Sequence, residues 1–150
     1  MKKILLITIC FLLTSLGLLG CSNDKDLVDA GEILFLSTVA TIEQDADYNK
    51  SFTGVGYSKE TLEGINESDR KTLFERIAQK YNVSVQQLPE DFIFGKNDLA
   101  LSIKRSKTSS NKVTVNSTKR MGAGISYTIE LVKKEDVWKV DKITKTSSGK

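Results

Sequence analysis

Ile125-Ser126-Tyr127-Thr128-Ile129-Glu130-Leu131 decides the fold class, because an apolar side chain occupies every second position. That period of two belongs to a strand with one covered face and one wet face. Working outward, Leu99, Leu101 and Ile103 alternate with Ala100, Ser102 and Lys104, and Val113 and Val115 alternate with Lys112, Thr114 and Asn116. Downstream, Trp138 and Val140 share a face, and Ile143 then follows Lys142 out of step, which predicts a bulge or a strand end. The connecting stretches 106–111, 119–124 and 133–136 are short and polar. Four sequential strands joined in this way predict an antiparallel meander.

Upstream the period changes. Leu27, Ala30, Leu34, Val39 and Ile42 follow helical spacing behind Asp26 as N-cap, with Asp29 and Glu32 placed to suit the helix dipole, so a helix is expected over 26–44. Gly54 and Gly56 predict a loop or short irregular strand over 49–58. Ser58 suits the cap of a brief helix through Leu62 and Ile65. Asn66 or Ser68 opens a longer one, with Leu73, Phe74, Ile77, Ala78 and Tyr81 on one face and Asn82 at its end. Ser84-Val85-Gln86-Gln87 reads as a capping box starting one more helical turn, which Pro89 stops. Helices first and strands afterwards predict an α+β domain: N-terminal helices packed on a curved four-stranded antiparallel sheet.

The chain begins Met1-Lys2-Lys3, continues in an almost unbroken apolar run from Ile4 to Leu13, and loosens through Thr14, Ser15 and Gly17. That order is the signature of an export signal. The run to Leu19 is broken by Thr8, Thr14 and Ser15 and falls short of the about 20 apolar residues that a spanning helix needs. Leu18-Leu19-Gly20-Cys21 resembles the lipobox of bacterial lipoproteins. The resemblance implies cleavage between Gly20 and Cys21 and acylation of Cys21; two or more acyl chains hold a protein stably on a bilayer. The expected division is a signal peptide over 1–20, the lipidated cysteine and a short tether over 21–25, one domain over 26–145 and a frayed tail over 146–150.

Composition narrows the chemistry. There is no histidine, which excludes histidine triads and histidine metal ligands. The two cysteines, Cys10 and Cys21, lie in the signal and at its cut, so the exported body holds together by its core without a disulfide. The balance of 22 basic and 19 acidic residues does not point to nucleic acid. Charge is nevertheless segregated: residues 22–91 carry a net −7 and residues 92–150 a net +8. Such asymmetry hints at a surface partner. The candidate contacts for an anionic surface are Lys104, Arg105, Lys119, Arg120, Lys133 and Lys134, read as outward strand positions or hairpin turns. Basic residues beside an anionic membrane are worth about 1 kcal/mol each. The plainer account of them is a solvated sheet face with charged edges.

Tyr127-Thr128-Ile129-Glu130-Leu131-Val132-Lys133 followed by Trp138-Lys139-Val140-Asp141-Lys142-Ile143 resembles the last two strands of small bacterial lipoproteins with the nuclear transport factor 2-like (cystatin-like) fold. The resemblance spans about 26–145 and implies a cone-like sheet with Trp138 as a core residue. Enzymes of that fold place carboxylates and tyrosines in the cone; no such set is located here, so no catalytic residue or cofactor is carried over. Residues 72–88 also resemble the two-helix centre of a lysin motif, which would make 68–103 a peptidoglycan-binding region. Asp45-x-Asp47-x-Asn49 opens like a calcium loop, but Lys50 and Gly56 stand where Gly and Glu are needed, and an acidic helix end is the expectation. Gly122-Ala123-Gly124 reads as a hairpin loop. The combined expectation is a membrane-anchored, extracytoplasmic, non-enzymatic accessory domain without cofactor or metal. It would meet a protein partner, a small ligand, or an anionic envelope surface or wall polymer; the alternative is peptidoglycan binding.

Overall fold

A computed structural model describes residues 24–89 and 97–148. Helix α1 (Asp24–Glu43) packs against strands β3 (Asp98–Thr108), β4 (Lys112–Met121), β5 (Ala123–Lys134) and β6 (Val137–Ser148). A 3-10 turn (Ala46–Asn49) follows α1. Then come β1 (Gly54–Tyr57), the single-turn α2 (Lys59–Leu62), α3 (Glu67–Tyr81) and β2 (Ser84–Gln87). The sheet order is β2-β1-β3-β4-β5-β6, with β1 parallel to both its neighbours and every later pair antiparallel.

This overturns the expected four-stranded antiparallel sheet and its cone: the sheet is six-stranded, mixed and open. The antiparallel pairing from β3 to β6 is as expected, but β1 joins the same sheet and β2 stands where a helical turn was expected. Gly54 and Gly56 predict a loop or a short irregular strand; a strand forms, buried along its whole length. A Cβ at Gly56 would stand 2.1 Å from Leu88 Cδ2, so the missing side chain is what lets Leu88 cover the strand. Ser84–Gln87 is mostly exposed and, among the described residues, borders only β1, so it shows no apolar alternation and its capping-box pattern misleads.

Inside the sandwich of helices and sheet, Leu99, Leu101, Val113, Val115, Ile129 and Leu131 line the covered sheet face, and Trp138 joins the same core. Asn66 caps α3 by accepting from Asp69 N at 2.8 Å, and Asn82 ends it in the left-handed region at φ 54°. Tyr57 stacks on Phe74 at 5.6 Å between centroids and donates to Thr38 Oγ1 at 3.0 Å. Arg76 ties α3 to α1, lying 3.5 Å above the Phe35 ring and 2.6 Å from Glu32 Oε2. The break of step near Ile143 is a bulge: Glu130 pairs with Lys142 and Leu131 with Val140, leaving Asp141 unmatched. β6 continues to Ser148 through the segment read as a frayed tail.

Candidate functional site

The β3–β4 and β5–β6 hairpins lie at one end of the sheet, and the start of α1 lies there too: Asp29 Oδ2 is 2.9 Å from Lys133 Nζ. Burial pushes the Asp29 carboxyl up, but the Lys133 hydrogen bond and charge outweigh it and hold it below the usual carboxylate range. The β5–β6 turn places two non-glycine residues in the left-handed region, Glu135 at φ 52° and Asp136 at φ 60°. Beyond it Val137 is 54% exposed and Val140 37%, the exposed large apolar side chains among the described residues; Val137 shares the open sheet face with Lys134 and Lys139, and Val140 lies on the other face with Trp138.

The six basic candidates do not form one patch. Lys104 is exposed on the open face of the sheet and Lys134 at the β5–β6 turn. Arg105 is exposed but shares the helix-side face with Val115, its register partner. Arg120 pairs with Ala100 and Gly124 at the opposite end, eight strand residues from Lys112 and therefore roughly 27 Å away. Lys133 is partly covered and ion-paired. Lys119, expected to point outward, is fully buried. Its direction follows from the same alternation that runs inward through Val113, Val115 and Ser117; extending that period two residues would have found it.

Lys119 sits in an oxygen cage. Its ammonium donates to Asn49 Oδ1 at 2.6 Å, to the carbonyls of Ile42 at 3.3 Å and Asp45 at 3.5 Å, and to the Gln44 carbonyl. The rings of Tyr48 and Tyr127 flank it at 5.7 and 5.8 Å. Burial pulls its pKa down to about 8, against the opposing pull of the Asp45 charge. Asp45, at φ 45°, accepts from the Tyr127 hydroxyl at 2.8 Å and pairs with Lys145 at 3.1 Å; the hydroxyl first, then Lys145, keep its carboxyl low. Burial, then Asp45, raise the Tyr127 hydroxyl.

The calcium-like sequence thus serves another cation. Asp45 is engaged by Tyr127 and Lys145, Asp47 pairs with Lys50 at 2.7 Å, and Asn49 holds Lys119. Among the described residues no group of three His, Cys, Asp or Glu could hold a metal ion. The lysin-like centre needs a second helix where β2 stands, and residues 90–96 of the 68–103 region lie outside the described residues. Gly20 and Cys21, with the signal over 1–20, also lie outside them. No helix among the described residues is long and apolar enough to cross a membrane. No protein-family model, curated protein or solved structure matches the chain.

Proposed function

We propose that this chain is a lipid-anchored extracytoplasmic binding domain, without catalytic activity of its own, that rides close to a membrane with its hairpin end toward the headgroups. One observation carries the reading: the start of α1 and the β5–β6 hairpin share an end of the sheet, joined by the Lys133–Asp29 pair. Two residues separate Cys21 from Asp24, three Cα steps and a reach of about 10 Å at full extension, so an acylated Cys21 would hold this end near the bilayer. Exposed Val137, on the open sheet face with Lys134 and Lys139, supplies the apolar contact and its neighbours the basic ones that suit such a surface.

Magnitudes assign the roles. The acyl chains supply the affinity, at about 0.8 kcal/mol per buried methylene. With Lys112 spent on Glu130 at 2.5 Å and Lys133 on Asp29, Lys107, Lys134 and Lys139 stand against Glu135 and Asp136 at the hairpins, and Asp24, Lys25 and Asp26 of the α1 start bring this end to formal neutrality. Net charge therefore does not bind this end; the short tether sets the orientation, and Lys134 and Lys139 at the turn are the local basic contacts, worth about 1 kcal/mol each beside anionic headgroups. The test is the intact mass of the chain purified from membranes, followed by hydrogen exchange on vesicles. An acylated Cys21 as first residue and slowed exchange over 134–140 on anionic vesicles are expected. Retention of residues 1–20, or an unacylated N-terminus, overturns the anchoring; unchanged exchange overturns the orientation.

A further inference from the structure

A cleft of about 240 Å³ opens between α1, the segment around α2, and strands β3 and β4. Its origin is topological. β1 ends at Tyr57, opposite Leu101, so beyond that point the edge of β3 is met by α2, where Thr61 Oγ1 accepts from Ile103 N at 2.8 Å. A single helical turn covers a strand edge less completely than another strand, and a gap remains. Ala30, Ile33, Leu34, Ile65, Ile103 and Val115 give it apolar walls.

Two polar features distinguish the gap from a packing fault. Ser37 lines it, is fully buried, and its hydroxyl has no hydrogen-bond partner among the described residues. Its neighbours on α1 are satisfied: Thr38 accepts from Tyr57, and Thr41 is 2.6 Å from Ser117 Oγ. Buried hydroxyls are ordinarily paired, so an orphan facing a cleft points to a group supplied from outside. The second feature is Arg105, which lines the mouth from the helix-side face of β3 and makes no ion pair among the described residues. Glu60 is nearby, but its own backbone N–H and the Ser58 hydroxyl hold its carboxylate, keeping it ionised below the usual range. Glu63 is exposed across the mouth and Lys104 stands beside Arg105.

We propose that this cleft binds a small amphiphilic carboxylate, with its apolar body between α1 and β3–β4, a hydroxyl or carbonyl on Ser37 Oγ and its carboxylate on Arg105. A guanidinium favours carboxylate because its fork can donate two parallel hydrogen bonds. The volume suits a compact ring system or short acyl chain, since drug-sized sites run to about 300–1,000 Å³. The binding is separate from membrane anchoring and does not depend on it.

Calorimetry on the full chain in zwitterionic nanodiscs, with empty nanodiscs subtracted, tests this using 6-hydroxy-2-naphthoate and decanoate as probes. Saturable binding of the hydroxynaphthoate is expected, weakened about tenfold in naphthol, which lacks the carboxylate, and about fivefold in naphthoate, which lacks the hydroxyl. Arg105→Glu is expected to weaken it at least tenfold, while Arg120→Glu, at the other end of the sheet, leaves it unchanged. In Ser37→Ala the hydroxynaphthoate and naphthoate should bind equally, a loss of preference that general destabilisation would not produce. No saturable binding of either probe, equal binding by Arg105→Glu and Arg120→Glu, or a hydroxyl preference that survives Ser37→Ala overturns the proposal and leaves a cleft filled by water.

Discussion

Replacing Lys119 by Met keeps the aliphatic stem and removes the ammonium, and the cage indicates what this costs. Ile42 O retains a donor, Asn49 Nδ2 at 3.3 Å, and Asp45 O retains Tyr48 N at 2.9 Å. Gln44 O and Asn49 Oδ1 have no other protein donor among the described residues. Two orphaned acceptors at about 1–3 kcal/mol each, less the relief from no longer burying a charge, give a net loss of about 2–4 kcal/mol at neutral pH. The pH dependence separates this from ordinary packing loss. The folded pKa of about 8 lies below the unfolded 10.5, so the unfolded chain binds more protons between those values and stability rises with pH across that window. Over pH 7.5 to 9.5 the wild type should gain about 1–2 kcal/mol. The Tyr57, Tyr81 and Tyr127 hydroxyls, all raised by burial above 10, reverse the trend only beyond that value. Lys119→Met should lack the gain, so the gap between the two proteins widens toward pH 9.5. Urea melts at fixed ionic strength measure this. A wild-type stability that is flat or falling over pH 7.5–9.5, or a variant within about 1 kcal/mol of wild type at both ends, refutes the cage.

Three further substitutions probe other parts of the molecule. Glu135→Asn with Asp136→Gly supplies residues that tolerate the left-handed conformations of the β5–β6 turn and should raise stability by about 1 kcal/mol in denaturant melts; a decrease would mean that the turn is not of this type. Gly56→Val drives a side chain into Leu88 and should cost about 2–3 kcal/mol, most simply seen as a lowered thermal midpoint; Gly64→Ala, where nothing lies within 4 Å, should cost less despite φ 75°. Thr41→Val leaves the buried Ser117 hydroxyl without its 2.6 Å partner and should cost about 1–2 kcal/mol, whereas adding Ser117→Ala should recover part of that loss; a double variant worse than the sum of the singles would rule out the coupling.

Much of the sheet was legible because one physical rule, burial of a single face, writes itself as alternation. It placed β3, β4 and β5, and the phase break before Ile143 marked a real bulge at Asp141. The same rule is silent where both faces are covered by backbone-close neighbours, as at Gly54 and Gly56, or where a strand is mostly exposed, as at Ser84–Gln87. Those two short strands turn a four-stranded meander into a mixed sheet, so a small local miss became a wrong architecture. At the site the difficulty was chemical. A lysine on a strand reads as surface, and only continuing the alternation past Ser117 shows that Lys119 faces the core. Its partners, three carbonyls and an amide, leave no charge signature in the sequence. Ser37 is equally unremarkable in a helix; its interest lies in what it does not touch.

Among the described residues the sheet ends at β6, a strand of twelve residues whose far side has no neighbour in the sheet order. A margin of that length is a template onto which another chain could add. Two devices spoil it. The unmatched residues at Asp141 and Thr146 interrupt the spacing of the free N–H and C=O groups, and Lys139 and Lys142 put like charge along the open face of the margin. An incoming copy would bring the same lysines to the same place, so repulsion and mismatch stop growth at six strands and keep crowded neighbours from zipping edge to edge.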